Sequence, residues 1–496
     1  MSEQVGNTMG PDEGASPWVV AYLATSGLVF VLLMLFGSAM RAGQAGMHDM
    51  DAALFYEIMT AHGIGMIGIS AVAGAAIMWH FLSRVVNLSV GIFKANLILF
   101  LAGVAMILGS IFLGKYHSAW TFLYPLPGQS MGMWTNGAAA LFLSGVLVIG
   151  VGFLLLHLDI GRALIAHYGS VGRAMGWPQL FAGDKSELPP PVVVASGMAT
   201  IANIVGLVAG ATILIMLLIN LYQPGFVINA LFAKNLTYFF GHVFANVTIY
   251  MAVIAVYELL PRYTQRPWKT SKTFLLSWTA STVLVLIIYP HHLLMDMVTP
   301  TWMLAVGHIV GYFNTFPILV VTAFGSLMIV YKSGIKWDVP SRLLFFSLCG
   351  WAAGTMPAFI DGTISVNYVM HNTLWVPGHF HTYMMLGLVA MVFGFMSYLG
   401  KESPDEADSW LDRLAFGLFM IGGAGLVLIF LYSGKMSVVR RFAGYQPEWQ
   451  GITGLAVWFA LLTVAGSAIF VVKFLTRLGA STRDAPRVTQ PKAVAV

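Results

Sequence analysis

Cysteine is almost absent: Cys349 is the only one in 496 residues. A single thiol excludes an internal disulfide, a Cys-x-x-Cys-His attachment site for c-type haem and a two-cysteine binuclear copper site within this chain. Charge is scarce too. Only 9% of residues are Asp, Glu, Lys or Arg, against roughly 25% in soluble domains, which excludes an ordinary soluble protein. Met1 to Pro17 contains no Lys or Arg. The basic flank of a secretory signal peptide is therefore missing, and the first apolar span is expected to stay in the chain. The net charge of +5 needs no nucleic acid to explain it.

What the chain has in abundance is apolar sequence, 58% of its residues. Runs of about 20 such residues recur to its end, each long enough to cross a ~30 Å hydrocarbon layer. The expected fold is an all-α polytopic membrane protein of twelve transmembrane helices. They are placed at 18–40, 53–82, 91–114, 136–158, 195–221, 237–260, 273–292, 302–331, 342–363, 376–399, 411–433 and 452–476. No internal repeat or second domain is visible. A short cytoplasmic segment, 1–17, precedes one membrane domain, 18–476, and a basic cytoplasmic tail, 477–496, follows it. Gly161 to Pro191, with Pro189, Pro190 and Pro191, reads as a surface loop. From Gly479 on, the tail reads as polar and disordered.

Charge orients the bundle. With the N-terminus inside, six of the 25 basic residues fall outside: Arg41, Lys115, Lys234, Lys435, Arg440 and Arg441. The other 19 lie inside, as cytoplasmic loops prefer. Three of the outer six share one loop. They point either to a docked anionic group or to solvated loop charge.

There are thirteen histidines. His62, His242, His291, His292, His379 and His381 all fall in the outer half of the membrane, where an unpaired histidine is costly. His379 and His381, two residues apart, project about 200° from each other on a helix. They can hold separate partners on opposite sides, as a helix between two haems must, or they can cap a helix start. Six imidazoles match a low-spin haem taking two, a high-spin haem taking one and a nearby metal taking three. His291 and His292 diverge by about 100° on a regular helix. They converge only if Pro290 distorts the helix end; otherwise they form a polar interfacial cap.

These features resemble the catalytic subunit I of the haem–copper oxygen reductase superfamily, most closely its B family, over essentially all twelve spans. The run from Asn367 to His381, with Tyr368, His371, Asn372 and Trp375, carries the likeness, as do His291-His292 and Arg440-Arg441. The resemblance implies His62 and His381 as axial ligands of a low-spin haem and His379 as proximal ligand of a high-spin haem. His242, His291 and His292 would bind a second, non-haem metal, copper or iron. Arg440 and Arg441 would pair with haem propionates, with His371 and Asn372 nearby.

One departure bears on function. In the A and B families the sixth-span histidine is followed by Pro, and four residues on stands a tyrosine covalently linked to that histidine. It gives an electron and a proton when O₂ is cleaved. Here Val243 follows His242 and the fourth residue is Asn246. The C family places its tyrosine on the seventh span before the paired histidines, where this chain has Val283, Leu284 and Val285. Tyr289 lies too close to His291 to match. Four-electron O₂ cleavage needs that extra electron. Coupling two NO to N₂O needs only two electrons and two protons. Nitric oxide reductases of the superfamily lack the tyrosine, and the chain is expected to be one.

The alternatives are a B-family terminal oxidase reducing O₂ to water, or a non-catalytic haem membrane protein acting as gas sensor or electron conduit. Asn246 could ligate the metal, bond to a bound gas oxygen or hold water. Tyr250 and Tyr257 follow on the same helix face towards Glu258, so Tyr257 is expected on a cytoplasmic proton route; ordinary packing is the alternative. Glu57 either joins the outer polar cluster or sits at the interface. The 28 methionines read as packing. By resemblance, the partner is a small membrane-anchored cupredoxin-like subunit II. The electrons would come from cytochrome c, a cupredoxin or quinol, in a prokaryotic cytoplasmic (inner) membrane.

Overall fold

In hydrocarbon, backbone amides must be satisfied within the chain, and a helix does this alone. The computed structural model describes residues 16–483, apart from Trp120, Met297, Thr315, Pro404 and Asp405. Twelve apolar helices run Pro17–Gln44, Ala52–Leu82, Val90–Leu113, Asn136–Tyr168, Pro191–Tyr222, Ala230–Thr264, Lys272–Leu293, Thr301–Val330, Val339–Gly362, Trp375–Leu399, Trp410–Lys435 and Pro447–Arg477. Nine cover their expected spans whole, and the third, eighth and ninth end one residue short of theirs. Polar caps set several starts. Asp51 accepts from the Ala53 and Leu54 amides. Asp338 with Ser341, and Ser409 with Asp412, form reciprocal capping boxes.

Two stretches differ from expectation. The fourth helix continues to Tyr168, and short helices at Val171–Ala174 and Trp177–Phe181 follow. Most of the expected loop from Gly161 is therefore ordered helix. Polar residues support the extension beyond the apolar run: Arg162 bonds Asp159 one turn back and the Asn87 carbonyl. The last helix likewise runs to Arg483, through the start of the expected tail; residues 484–496, like 1–15, lie outside the described part.

Consecutive spans pack side by side, and the first closes on the twelfth. Spans two, six and ten form the interior. Buried residues make up 72, 83 and 78% of their apolar windows, and no other span exceeds 50%. These are the spans that carry His62, His242, His379 and His381. Regular helix fails at three places nearby. The sixth span is interrupted at Val253. The seventh leaves α-helix after Ile287 and tightens into a 3₁₀ turn over Tyr289–Leu293. The tenth widens into π-helix over Thr382–Val389, a feature frequent at functional sites.

Each end of the bundle is laced. At one end the Tyr263 hydroxyl and Lys401 bond Asp338 (3.1 and 2.5 Å), and Arg477 pairs with Glu406. At the other, the loop after span eleven crosses spans one, two and ten. Gln44 Nε2 donates to the Phe442 carbonyl and the Tyr56 hydroxyl to that of Arg441. Thr373 and Val439 form an isolated antiparallel bridge, with the Arg440 amide on the Asn372 carbonyl at 3.0 Å.

Candidate metal centre

Pro290 cannot donate a backbone hydrogen bond, and the helix tightens there. The turn that follows brings the His291 and His292 rings to 4.0 Å between centres. Gly307 makes this possible from the next span: a Cβ there would stand 2.6 Å from the His291 nitrogen. His242 comes from the interior sixth span. Its ring centre is 4.9 Å from that of His291 and 5.2 Å from that of His292, and its Nδ1 is 3.0 Å from His292 Nε2. One nitrogen from each of the three lies within 4.8 Å of the others. His291 Nδ1 is buried with no hydrogen-bond partner.

On span ten, His379 and His381 diverge to opposite sides. The His381 ring faces His62 of span two, with centres 6.3 Å apart and planes inclined by 16°. His379 turns towards span nine, where its Nδ1 donates to the Gly354 carbonyl at 2.9 Å. The other two are fixed alike. His62 Nδ1 donates to the Leu33 carbonyl and His381 Nδ1 to that of Pro377, both at 2.7 Å. All three imidazoles therefore carry a proton on Nδ1, and in its neutral form each leaves a free lone pair on Nε2.

Arg440 and Arg441 lie in the loop that crosses this end. Arg441 has a left-handed backbone, φ +66°, which a residue with a side chain seldom adopts without cause. Burial, then the charge of Arg441, lowers the Arg440 pKa to about 10, and Asp361 opposes the shift. Burial and the two arginines hold neighbouring His371 down at about 4, so it is neutral near pH 7. Lys115 reaches Glu57 at 3.6 Å and Lys234 pairs with Asp296. Glu57 is thus buried against a lysine. Among the described residues neither Arg440 nor Arg441 makes an ion pair, and Arg440 Nε is buried without a partner. Asn372 exposes its side chain and contributes its backbone carbonyl to the Arg440 amide.

Asn246 is fully engaged by protein groups. Its Nδ2 donates to the His242 carbonyl at 2.9 Å and lies 3.2 Å from His242 Nε2. Its Oδ1 accepts from the Tyr383 hydroxyl at 3.2 Å. Tyr257 is not at this place. Eleven residues further on, ~16 Å along the helix, its hydroxyl meets Thr322 Oγ1 at 2.6 Å. Tyr250 and Tyr257 share a wall, both packing on Trp278. Tyr289 bonds Asn235, away from the histidines. Tyr383 was not legible as a site residue, although a signal existed: it stands four residues after His379, as Asn246 stands four after His242.

The sequence pattern of the family Cytochrome C and Quinol oxidase polypeptide I matches residues 18–468. The chain belongs to this family. A cytochrome c oxidase subunit 1 from Synechocystis sp. is 24% identical over 476 residues, 91% of this chain and 82% of that protein. A haem–copper oxidase subunit I+III from Aeropyrum pernix is 24% identical over 266 residues, 52% of this chain. That match spans 31% of the longer Aeropyrum protein. A haem–copper terminal oxidase dimer determined by cryo-EM shares the fold, with TM-score 0.73 and 20% identity over 95% of this chain and 84% of its own.

Members of the haem–copper oxidase family bind haems and a further metal, and the residues present fit such groups. A metal bonded to two imidazoles at about 2 Å each would separate the ring centres by about 6 Å; His62 and His381 stand at 6.3 Å. A ligating histidine commonly donates its other N–H to a carbonyl, as His62, His379 and His381 do. The unpartnered Arg440 Nε offers a donor to an anion such as a carboxylate.

Proposed function

We propose that this family member is the catalytic subunit of a nitric oxide reductase, converting two NO to N₂O and water. The observation that carries the reading is Asn246. A phenol joined covalently to His242 would occupy that position in an O₂ reductase. Here an amide does, 3.2 Å from His242 Nε2. An amide has no accessible one-electron oxidation, so it cannot supply a fourth electron to O₂. NO coupling does not need one.

In this reading His62 and His381 hold a low-spin haem, His379 a high-spin haem, and His242, His291 and His292 a copper or iron ion. These groups supply electron transfer and gas binding. Arg440 and Arg441 neutralise the haem propionates, and the neutral His371 beside them adds no further charge. Asn372 fixes the arginine loop through its carbonyl. The Nδ1 hydrogen bonds orient three imidazoles before anything binds, so little ordering remains at loading. Tyr257, bonded to Thr322, passes protons from the cytoplasmic side. The basic residues orient the chain with both termini in the cytoplasm of a prokaryote. A membrane-anchored cupredoxin-like subunit II receives electrons from cytochrome c, a cupredoxin or quinol.

A second reading, reduction of O₂ to water, is favoured by one contact: the Tyr383 phenol bonded to Asn246. Relatives named cytochrome c oxidase subunit 1 lean the same way. The test is anaerobic NO consumption by the purified complex with an artificial reductant. One N₂O per two NO at a sustained rate supports the proposal; trace NO loss beside rapid O₂ uptake supports the second reading.

A further inference from the structure

We propose that Tyr383 is a catalytic residue of the reaction centre, its phenol held beside the metal triad by Asn246. The phenol that is missing from the sixth span is then supplied by the tenth, through hydrogen bonds in place of a covalent link. The inference rests on reading His242, His291 and His292 as the metal site. It does not depend on which gas is reduced.

Three observations place Tyr383 there. Its hydroxyl is 3.2 Å from Asn246 Oδ1, and the same amide's nitrogen is 3.2 Å from His242 Nε2. One small side chain thus spans a phenol and a triad imidazole. Second, the position of Tyr383 is built from span nine. Gly354, whose carbonyl holds His379, lies so close to span ten that a Cβ would stand 3.2 Å from the Tyr383 nitrogen. The Trp351 ring meets Tyr383 edge-on, with centres 6.2 Å apart. The backbone that orients His379 therefore also sets Tyr383. Third, the π-helical turn begins at Thr382. Its extra residue changes the helix phase between His381 and the regular helix beyond. Tyr383 and Asn246 are each only partly buried, although both lie inside the bundle.

Asn246 is a positioning residue in this account. Its Nδ2 donates to the His242 carbonyl and its Oδ1 accepts from the Tyr383 hydroxyl. The phenol is thereby tied to the turn that carries a triad imidazole.

The experiment uses the purified complex carrying Tyr383→Phe, Asn246→Leu or both. Turnover is measured with whichever gas the wild type consumes. The infrared stretching band of carbon monoxide bound at the reduced centre gives a readout independent of turnover. Each single variant is expected to keep its haem and metal content, lose tenfold or more in turnover and shift the band. The double variant should be no worse than the poorer single, because the two residues act as one unit. Turnover within tenfold of wild type, an unshifted band, or losses that multiply in the double variant would each overturn the proposal. If Tyr383→Phe fails to load haem, Asn246→Leu decides alone by the same two measures. The gas preference of the wild type tests the proposed function separately, so the two claims fail in different ways.

Discussion

His62 and His381, from spans two and ten, face each other with ring centres 6.3 Å apart and planes inclined by 16°. Each spends its Nδ1 proton on a backbone carbonyl. Replacing His381 by Ala is expected to remove one of two haems, counted by extraction, and to bring turnover to background. Retention of both haems would contradict the assignment.

The proposed metal triad should be sensitive to a residue outside it. Gly307 gives the His291 turn its room, and a Cβ there would stand 2.6 Å from the His291 nitrogen. Gly307→Ala should weaken metal binding by about 10–100-fold, the usual cost of a disturbed supporting shell. Elemental analysis after dialysis against a chelator checks it. Full metal retention would mean that the turn yields without moving the imidazoles.

An ion pair at the histidine end should matter to stability. The Lys234 and Asp296 side chains are only 21% and 10% exposed. Lys234→Ala leaves a largely buried carboxylate unpaired and should cost about 3 kcal/mol. Thermal unfolding in detergent checks it, and an unchanged Tm would contradict it.

The opposite end should carry a pH dependence. Hydrogen bonds from Arg477 hold Glu406 below its ordinary carboxylate range. A carboxylate depressed on folding stabilises at pH values above its unfolded pKa of about 4.3. That contribution is lost as pH falls through the lower folded value. Glu406→Gln should therefore lower Tm at pH 7 and leave it nearly unchanged at the acid limit. An equal loss at both would refute the linkage.

The twelve spans were legible because hydrocarbon leaves a chain few choices, and composition alone marks them. Their ends were less so. The fourth helix runs to Tyr168 on a polar Asp159–Arg162 pair that hydropathy reads as loop. The six histidines proposed as ligands were picked out by type, spacing and depth, and the missing N–H of Pro290 gave a reason for the distortion that the structure shows there. Tyr383 was passed over, although its four-residue step from His379 was a signal. Its importance comes from a contact with Asn246, 137 positions earlier in the chain, and from a π-turn that no periodicity announced. A search for a phenol along spans six and seven passes it by.

The measurement that tests the central claim most directly is the ratio of NO to O₂ turnover on a single preparation of the complex, with one reductant and with N₂O collected. The account predicts fast NO loss, one N₂O for every two NO, and much slower O₂ uptake. Fast O₂ reduction to water with only trace N₂O would contradict it, and would leave the Tyr383 phenol as the first candidate for the fourth electron.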